Sequence, residues 1–235
     1  MFKKKWTALY AVLILIVLLI LFPVVVQNQY WGRMLILIFL HIILAAGLWI
    51  IMTTGQVSFC HAAFMAIGAY TSTIVVMNLG LSFWIALPLA GIVSAAVALL
   101  FGLVVLRLKG AYFFLATFAF GEVVRLAFTN IREDIFGGPQ GIFAVPPPSP
   151  LGPIQFIPGQ ATSFYYLAFA LMLIAIFVMY RLSRSRVVPT FWAIHESDDL
   201  AESVGVPLMK NKVMAFCTGC FFAGIAGSFY AHYYM

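Results

Sequence analysis

Charge is what this chain has least of. Among its 235 residues only 9% are charged, with seven Asp and Glu against thirteen Lys and Arg, while 64% are hydrophobic and the mean hydropathy is +1.08. A soluble domain of this length cannot hide so much apolar surface in one core. Short alternating apolar segments are missing too, which excludes a transmembrane barrel, whose strands show only about 10 residues at a time. Cysteine is scarce: Cys60, Cys217 and Cys220 all lie in apolar surroundings, and the C-x-x-C at 217–220 has no second pair or His cluster to complete a zinc site. Neither the four scattered histidines nor the few carboxylates make a convergent catalytic set, so no catalytic residue, metal or cofactor is expected. Without a Walker-type phosphate loop the chain does not hydrolyse ATP itself. The net charge of +6 could suggest nucleic acid, but the basic residues sit in short clusters between apolar runs, the pattern that sets orientation in a lipid bilayer.

What is present is a succession of long apolar runs, each near the roughly 20 residues needed to span a membrane. They extend over Trp6 to Val26, Met34 to Met52, about Ala62 to Met77, Phe83 to Leu106, Ala111 to Thr129, Ala161 to Tyr180 and Val213 to Tyr234. The expected fold is therefore all-α and polytopic, with about seven transmembrane helices forming one transmembrane domain over residues 1–235. The first run follows Lys3, Lys4 and Lys5 as a signal peptide would, yet it is longer than a signal core and lacks a small-residue cleavage site. It reads as a retained helix.

The basic residues test the count. With a cytoplasmic N-terminus, Arg107, Lys109, Arg181, Arg184, Arg186, Lys210 and Lys212 all fall inside, leaving Arg33 and Arg132 in outside loops. A single miscounted pass would scatter the later clusters. Two connections exceed a turn. The outer one, 130–160, holds IFGGPQGI and VPPPSPLGP, whose glycines and prolines suit an ordered cap or gate rather than a helix. The inner one, 182–209, contains a short amphipathic helix: Asp198 or Asp199 can cap its start, Glu202 fits its third position, Gly205 suits its end and Pro207 stops it.

Polar residues within the apolar runs are the candidate functional positions. Gly55, Gln56, Ser58 and His61 interrupt the helical pattern, and irregular backbone at membrane depth is tolerated where it is buried or lines a cavity. They either border a translocation path or end one helix and cap the next; His61 itself reads as a helix-terminus hydrogen-bonding residue. Glu122 and Arg125, three residues apart, share a helix face and can pair, which lowers the cost of charge near lipid. Such a pair is expected to point into the protein, beside a pathway, at a partner subunit, or as a bridge locking neighbouring helices.

The stretches GQVSFCHAAFMAIGAY (55–70), RLKGAYFFLATFAFGEVVRL (107–126), GGPQGI (137–142) and AIHESDDLAESVGVPLMKNKVMAF (193–216) resemble, in order and spacing, the LivM-type permeases of branched-chain amino acid ABC importers. The resemblance implies an inner-membrane permease that pairs with a second homologous permease, rests on two cytoplasmic ATP-binding subunits and receives substrate from an extracytoplasmic binding protein. It places Gly137 and Gly138 with the gating candidates, and Glu196, Asp199, Glu202 and Gly205 in the loop that engages the ATPases. The chain departs from the pattern where GRAFRAIRE is usual: VPTFWAIHE (188–196) puts Pro189, Trp192 and His195 in place of arginines, and Cys60 replaces a usual glycine. The resemblance also implies further helices beyond Met235, which makes the chain fragment-like. An ATPase-independent secondary transporter or channel for small polar solutes is the alternative, and a docking helix on the inner loop is the feature it would not need.

Overall fold

The computed structural model describes residues 2–26, 28–131, 133–150, 155–157 and 160–234, with side chains described from residue 13 onward except at 24, 133 and 134. Arg132 and part of the proline-rich run, 151–154, lie outside the described residues, as do the side chains of the three N-terminal lysines. In chain order the helices are α1 (Phe2–Val25), α2 (Gln29–Met52), α3 (His61–Leu79), α4 (Phe83–Val105), α5 (Ala111–Asn130), α6 (Glu133–Phe136), α7 (Ala161–Ser183), α8 (Val187–Glu196), α9 (Asp198–Ser203) and α10 (Leu208–Tyr233). Among the described residues there is no strand, and α2, α3, α4, α5, α7 and α10 are long and apolar enough to cross a membrane. The helix α1 has the length of a seventh crossing, and its described side chains from Leu13 to Pro23 form an apolar run. The chain is an all-α, multi-pass membrane protein. The outer connection is less irregular than expected, because α6 and a single 3-10 turn at Gly138–Gln140 fall within it.

At the centre stands α10, packed along α4, α3 and α2, with α7 on the far side of α2. Small residues bring these backbones together, the usual means of helix contact where lipid offers no hydrophobic drive between helices. A Cβ on Gly68 of α3 would strike the backbone of Gly224, and one on Gly47 of α2 would stand 2.8 Å from the carbonyl oxygen of Gly219. Spacing places the core side of α2: Ile36, Phe39, Leu40, Ile43, Gly47, Ile50 and Ile51 recur at three- and four-residue steps and are all buried.

Attachment of α1 rests on a proline. Pro23 has no N–H to give the carbonyl of Leu19 one turn earlier. The Tyr165 hydroxyl of α7 donates to that carbonyl at 2.7 Å, and the Tyr166 hydroxyl to Ile20 at 3.1 Å. The freed acceptor becomes the point at which α7 holds α1.

Candidate functional site

At one end of the bundle three connections meet: 53–60, the α4–α5 turn, and the α8–α9 segment. They enclose a cleft of about 590 Å3 lined by Gly55, Gln56, Lys109, His195, Glu196, Asp198 and Asp199 among others. Two groups of candidate residues that the sequence keeps apart, Gly55 with Gln56 and Glu196 with Asp199, thus face the same space.

The 53–60 connection is compact. Thr53 and Thr54 hydroxyls donate to the carbonyls of Ile50 and Ile51, ending α2. Gly55 has φ +80°, and a Cβ there would stand 3.1 Å from His195 Cδ2, so α8 rests directly on this glycine. Gln56 is buried; its Nε2 donates to the Leu106 carbonyl at 3.4 Å, and its Oε1 has no hydrogen-bond partner among the described residues. Ser58 Oγ contacts Cys60 Sγ at 3.0 Å, and burial pushes the Cys60 thiol up to about 11, so it stays protonated. His61 is buried at the first position of α3. It fills space left by missing side chains, since a Cβ on Gly47 would come within 2.9 Å of its Nε2.

The inner segment holds two helices where one was expected. Pro189 falls in the first turn of α8, where a missing N–H costs nothing, and Val188, Phe191 and Ile194 bury one face of that helix. The cap of α9 is Ser197, not either aspartate: its side chain accepts from Leu200 N at 3.3 Å. Asp198 and Asp199 then occupy the first turn, at the positive end of the helix, which puts Glu202 beyond the third position. The end behaves as expected. Gly205 N donates to Glu202 O at 2.9 Å, Val206 N to Ala201 O at 3.0 Å, and Gly205 has φ +84°, a Schellman close that only glycine adopts without strain.

Sequence reading missed the ionic contacts here. Lys212 Nζ lies 2.8 Å from both carboxylate oxygens of Asp198, and Lys109 Nζ lies 3.5 Å from Asp198 and 3.8 Å from Asp199. Both lysines were legible only as orienting charges, because a contact made through tertiary packing has no sequence period.

Further along the bundle, Arg125 donates to Glu122 Oε2 at 2.8 Å from Nη2 and 2.9 Å from Nε. The pairing is as expected, and within this chain the two side chains remain 61% and 46% exposed, on the open face of α5. Among the described residues they pair along one helix and bridge no neighbouring helix. At the opposite end, Gly137 (φ +74°) and Gly138 (φ +59°) form a turn in which a Cβ on Gly137 would strike the carbonyl of Gly141. A depression of about 300 Å3 beside it is lined by Thr73, Asn78, Gly137, Gly141 and Phe143 among others. Nearby, Ser228 donates to Ser72 at 2.7 Å, Ser72 meets His232 Nε2 at 3.0 Å, and His232 Nδ1 meets the Pro146 carbonyl at 2.7 Å. A carbonyl only accepts, so Nδ1 carries the proton and Nε2 receives the Ser72 hydrogen. Among the described residues no group of His, Cys, Asp and Glu could hold a metal ion.

The family model described as branched-chain amino acid transport system, permease component, matches residues 30–235. The chain belongs to this permease family. It is similar to the high-affinity branched-chain amino acid transport system permease protein LivM of Salmonella typhimurium, 35% identical over 213 residues, and to LivM of Escherichia coli, 34% identical over the same length. Each alignment covers 82% of this permease chain and 50% of the relative, so the chain spans about half the length of the curated relatives it matches. No solved structure matches it. Family members are transport components rather than enzymes.

Proposed function

We propose that the chain is the permease subunit of an ATP-driven ABC importer that carries branched-chain or related amino acids across a bacterial cytoplasmic membrane. It works with a second homologous permease, two cytoplasmic ATP-binding subunits that hydrolyse the nucleotide, and an extracytoplasmic substrate-binding protein. The N-terminus and the α8–α9 end face the cytoplasm, which collects the basic residues of the inner loops on one side. The connection 130–160 is then periplasmic, with Gly137 and Gly138 shaping a gate. Glu122 and Arg125 border the pathway or the second permease, since an exposed charge pair amid apolar residues needs a polar or protein environment.

The observation that carries this reading is the α8–α9 segment. It is a pair of short helices between two membrane passes, seated by its buried apolar residues and leaving Trp192, Glu196, Asp199 and Glu202 exposed. A carrier driven by ions alone has no need of such an element, whereas an ATPase cannot move membrane helices without something to push. The altered VPTFWAIHE stretch leaves docking to Glu196, Asp199, Glu202 and the turn at Gly205.

Uptake in cells expressing the presumed subunits tests the reading, with Glu202→Arg and Gly205→Pro compared with the native chain at equal membrane levels. The expected result is loss of uptake together with loss of ATPase co-purification. Uptake that persists without the ATPases would establish the secondary-transporter reading in its place.

A further inference from the structure

The cleft at the α8–α9 end is bounded by two ionic contacts of unlike character, and Asp198 belongs to both. Lys212 stands at the start of α10 with its side chain 9% exposed, and Asp198 is 16% exposed. Lys109, in the α4–α5 turn, is 70% exposed and reaches Asp198 and Asp199 only at 3.5 and 3.8 Å. A long solvated lysine at such distances is weakly held and screened by salt. The buried pair cannot part without stranding a charge away from water. If the α8–α9 segment shifts against the bundle, the Lys109 contacts therefore open while the Lys212 contact stays closed. Gly55 beneath His195 limits the other direction, since His195 already takes the space that even a Cβ on Gly55 would need.

We propose that Asp198 is the positioning residue that couples this segment to the membrane helices. Its pair with Lys212 is a fixed joint that carries any displacement of α8–α9 into α10, and the contacts of Lys109 with Asp198 and Asp199 are a releasable latch across the cleft. The destination matters, because α10 touches α3 and α2 backbone to backbone at Gly224 and Gly219. Contacts that tight have no side chain to absorb a shift, so α10 passes it on to both helices as a body. The inference rests on the importer reading, in which docked ATPases supply the displacement.

The test uses the assembled transporter and three readouts: ATPase co-purification, ATP hydrolysis and substrate uptake. Replacing both partners, Asp198→Asn with Lys212→Met, leaves no lone buried charge. The expected result is ATPase binding as in the native complex, hydrolysis within about twofold, and uptake lower by about tenfold. Exchanging the charges, Asp198→Lys with Lys212→Asp, restores most of the uptake. Lys109→Met removes the latch and leaves the joint intact, so uptake stays within about twofold of the native complex. Full uptake in the neutral pair, a loss of uptake by about tenfold in Lys109→Met, or a parallel fall of binding, hydrolysis and uptake in the neutral pair would each overturn the proposal. Failure of the ATPases to co-purify with the native chain would instead sink the importer reading itself.

Discussion

Two helices of similar apolar character, α10 and α5, are treated in opposite ways by this fold. The apolar window of α10 is 67% buried within the chain, against 17% for α5. Sequence explains part of the contrast. The helix α10 carries Gly219, Gly224 and Gly227, each of whose missing side chains is occupied by backbone or side chain of a neighbour, whereas Gly121 of α5 has open space around it. The same residue type is a contact surface in one helix and an unfilled face in the other. Aromatic contacts hold α5 along one side, notably Phe101 with Phe120 at 4.0 Å and Tyr70 with Phe128 at 4.1 Å between ring centroids. Its other side presents Leu115, Phe118, Glu122 and Arg125 outward. One helix is finished within this chain, and the other is built to be completed by its surroundings.

The largest expected effect lies in α10. Gly224→Leu drives a side chain into Ser94 and the carbonyl of Ala90, with no flexible neighbour to yield, and should destabilise the chain by about 3 kcal/mol or more, read as loss of monodisperse protein in detergent. If Gly224→Leu is tolerated, α10 is not the tightly packed centre. Next comes His232→Leu, which leaves the buried Ser72 hydroxyl and the Pro146 carbonyl without their partner. A loss of about 2 kcal/mol is expected, with faster proteolysis of the 141–150 segment as the local readout.

The α5 variants should invert this ranking between stability and function. Replacing both charges, Glu122→Gln with Arg125→Gln, should shift stability by about 0.5 kcal/mol or less, because the pair is exposed and lies within one helix. Uptake or association with the second permease should nevertheless fall, and unchanged transport would make this face a mere lipid contact. Smallest of all is Gly121→Leu. With nothing near its Cβ, the isolated chain should gain a few tenths of a kcal/mol from better helix propensity, or about 0.5 to 1 at most, measured by thermal unfolding in detergent.

Much of this architecture was legible in advance, and the reasons differ by feature. Long apolar runs report membrane passes because the bilayer imposes a length, so α2, α4, α5 and α7 stand within a few residues of where the sequence puts them. Gly205 was legible because the turn it makes is local, a matter of one residue's φ. Ser197 was overlooked as a cap because two aspartates follow it, and either could do the work; only the observed register shows which residue stays outside the helix. Neither the Asp198 and Lys212 pair nor the Ser228, Ser72, His232 chain could have been read, since the latter joins residues 156 and 160 positions apart. The direction of Glu122 and Arg125 was left open for a related reason. Charge near lipid must be covered, but the sequence cannot say whether the cover belongs to the same chain.

The sequence by itself determined the order of the six long apolar helices found among the described residues, the intrahelical pairing of Glu122 with Arg125 and the glycine close of α9. All of these follow from local geometry or from the length rule of a bilayer. Only the tertiary structure decided that α10 is the central helix, that Gly55 lies beneath His195, that His61 fills the gap beside Gly47, and that Asp198 stands between two lysines from different parts of the chain. Those outcomes depend on which helix faces meet, and that is settled by close packing among small residues distant in sequence, for which no local pattern exists.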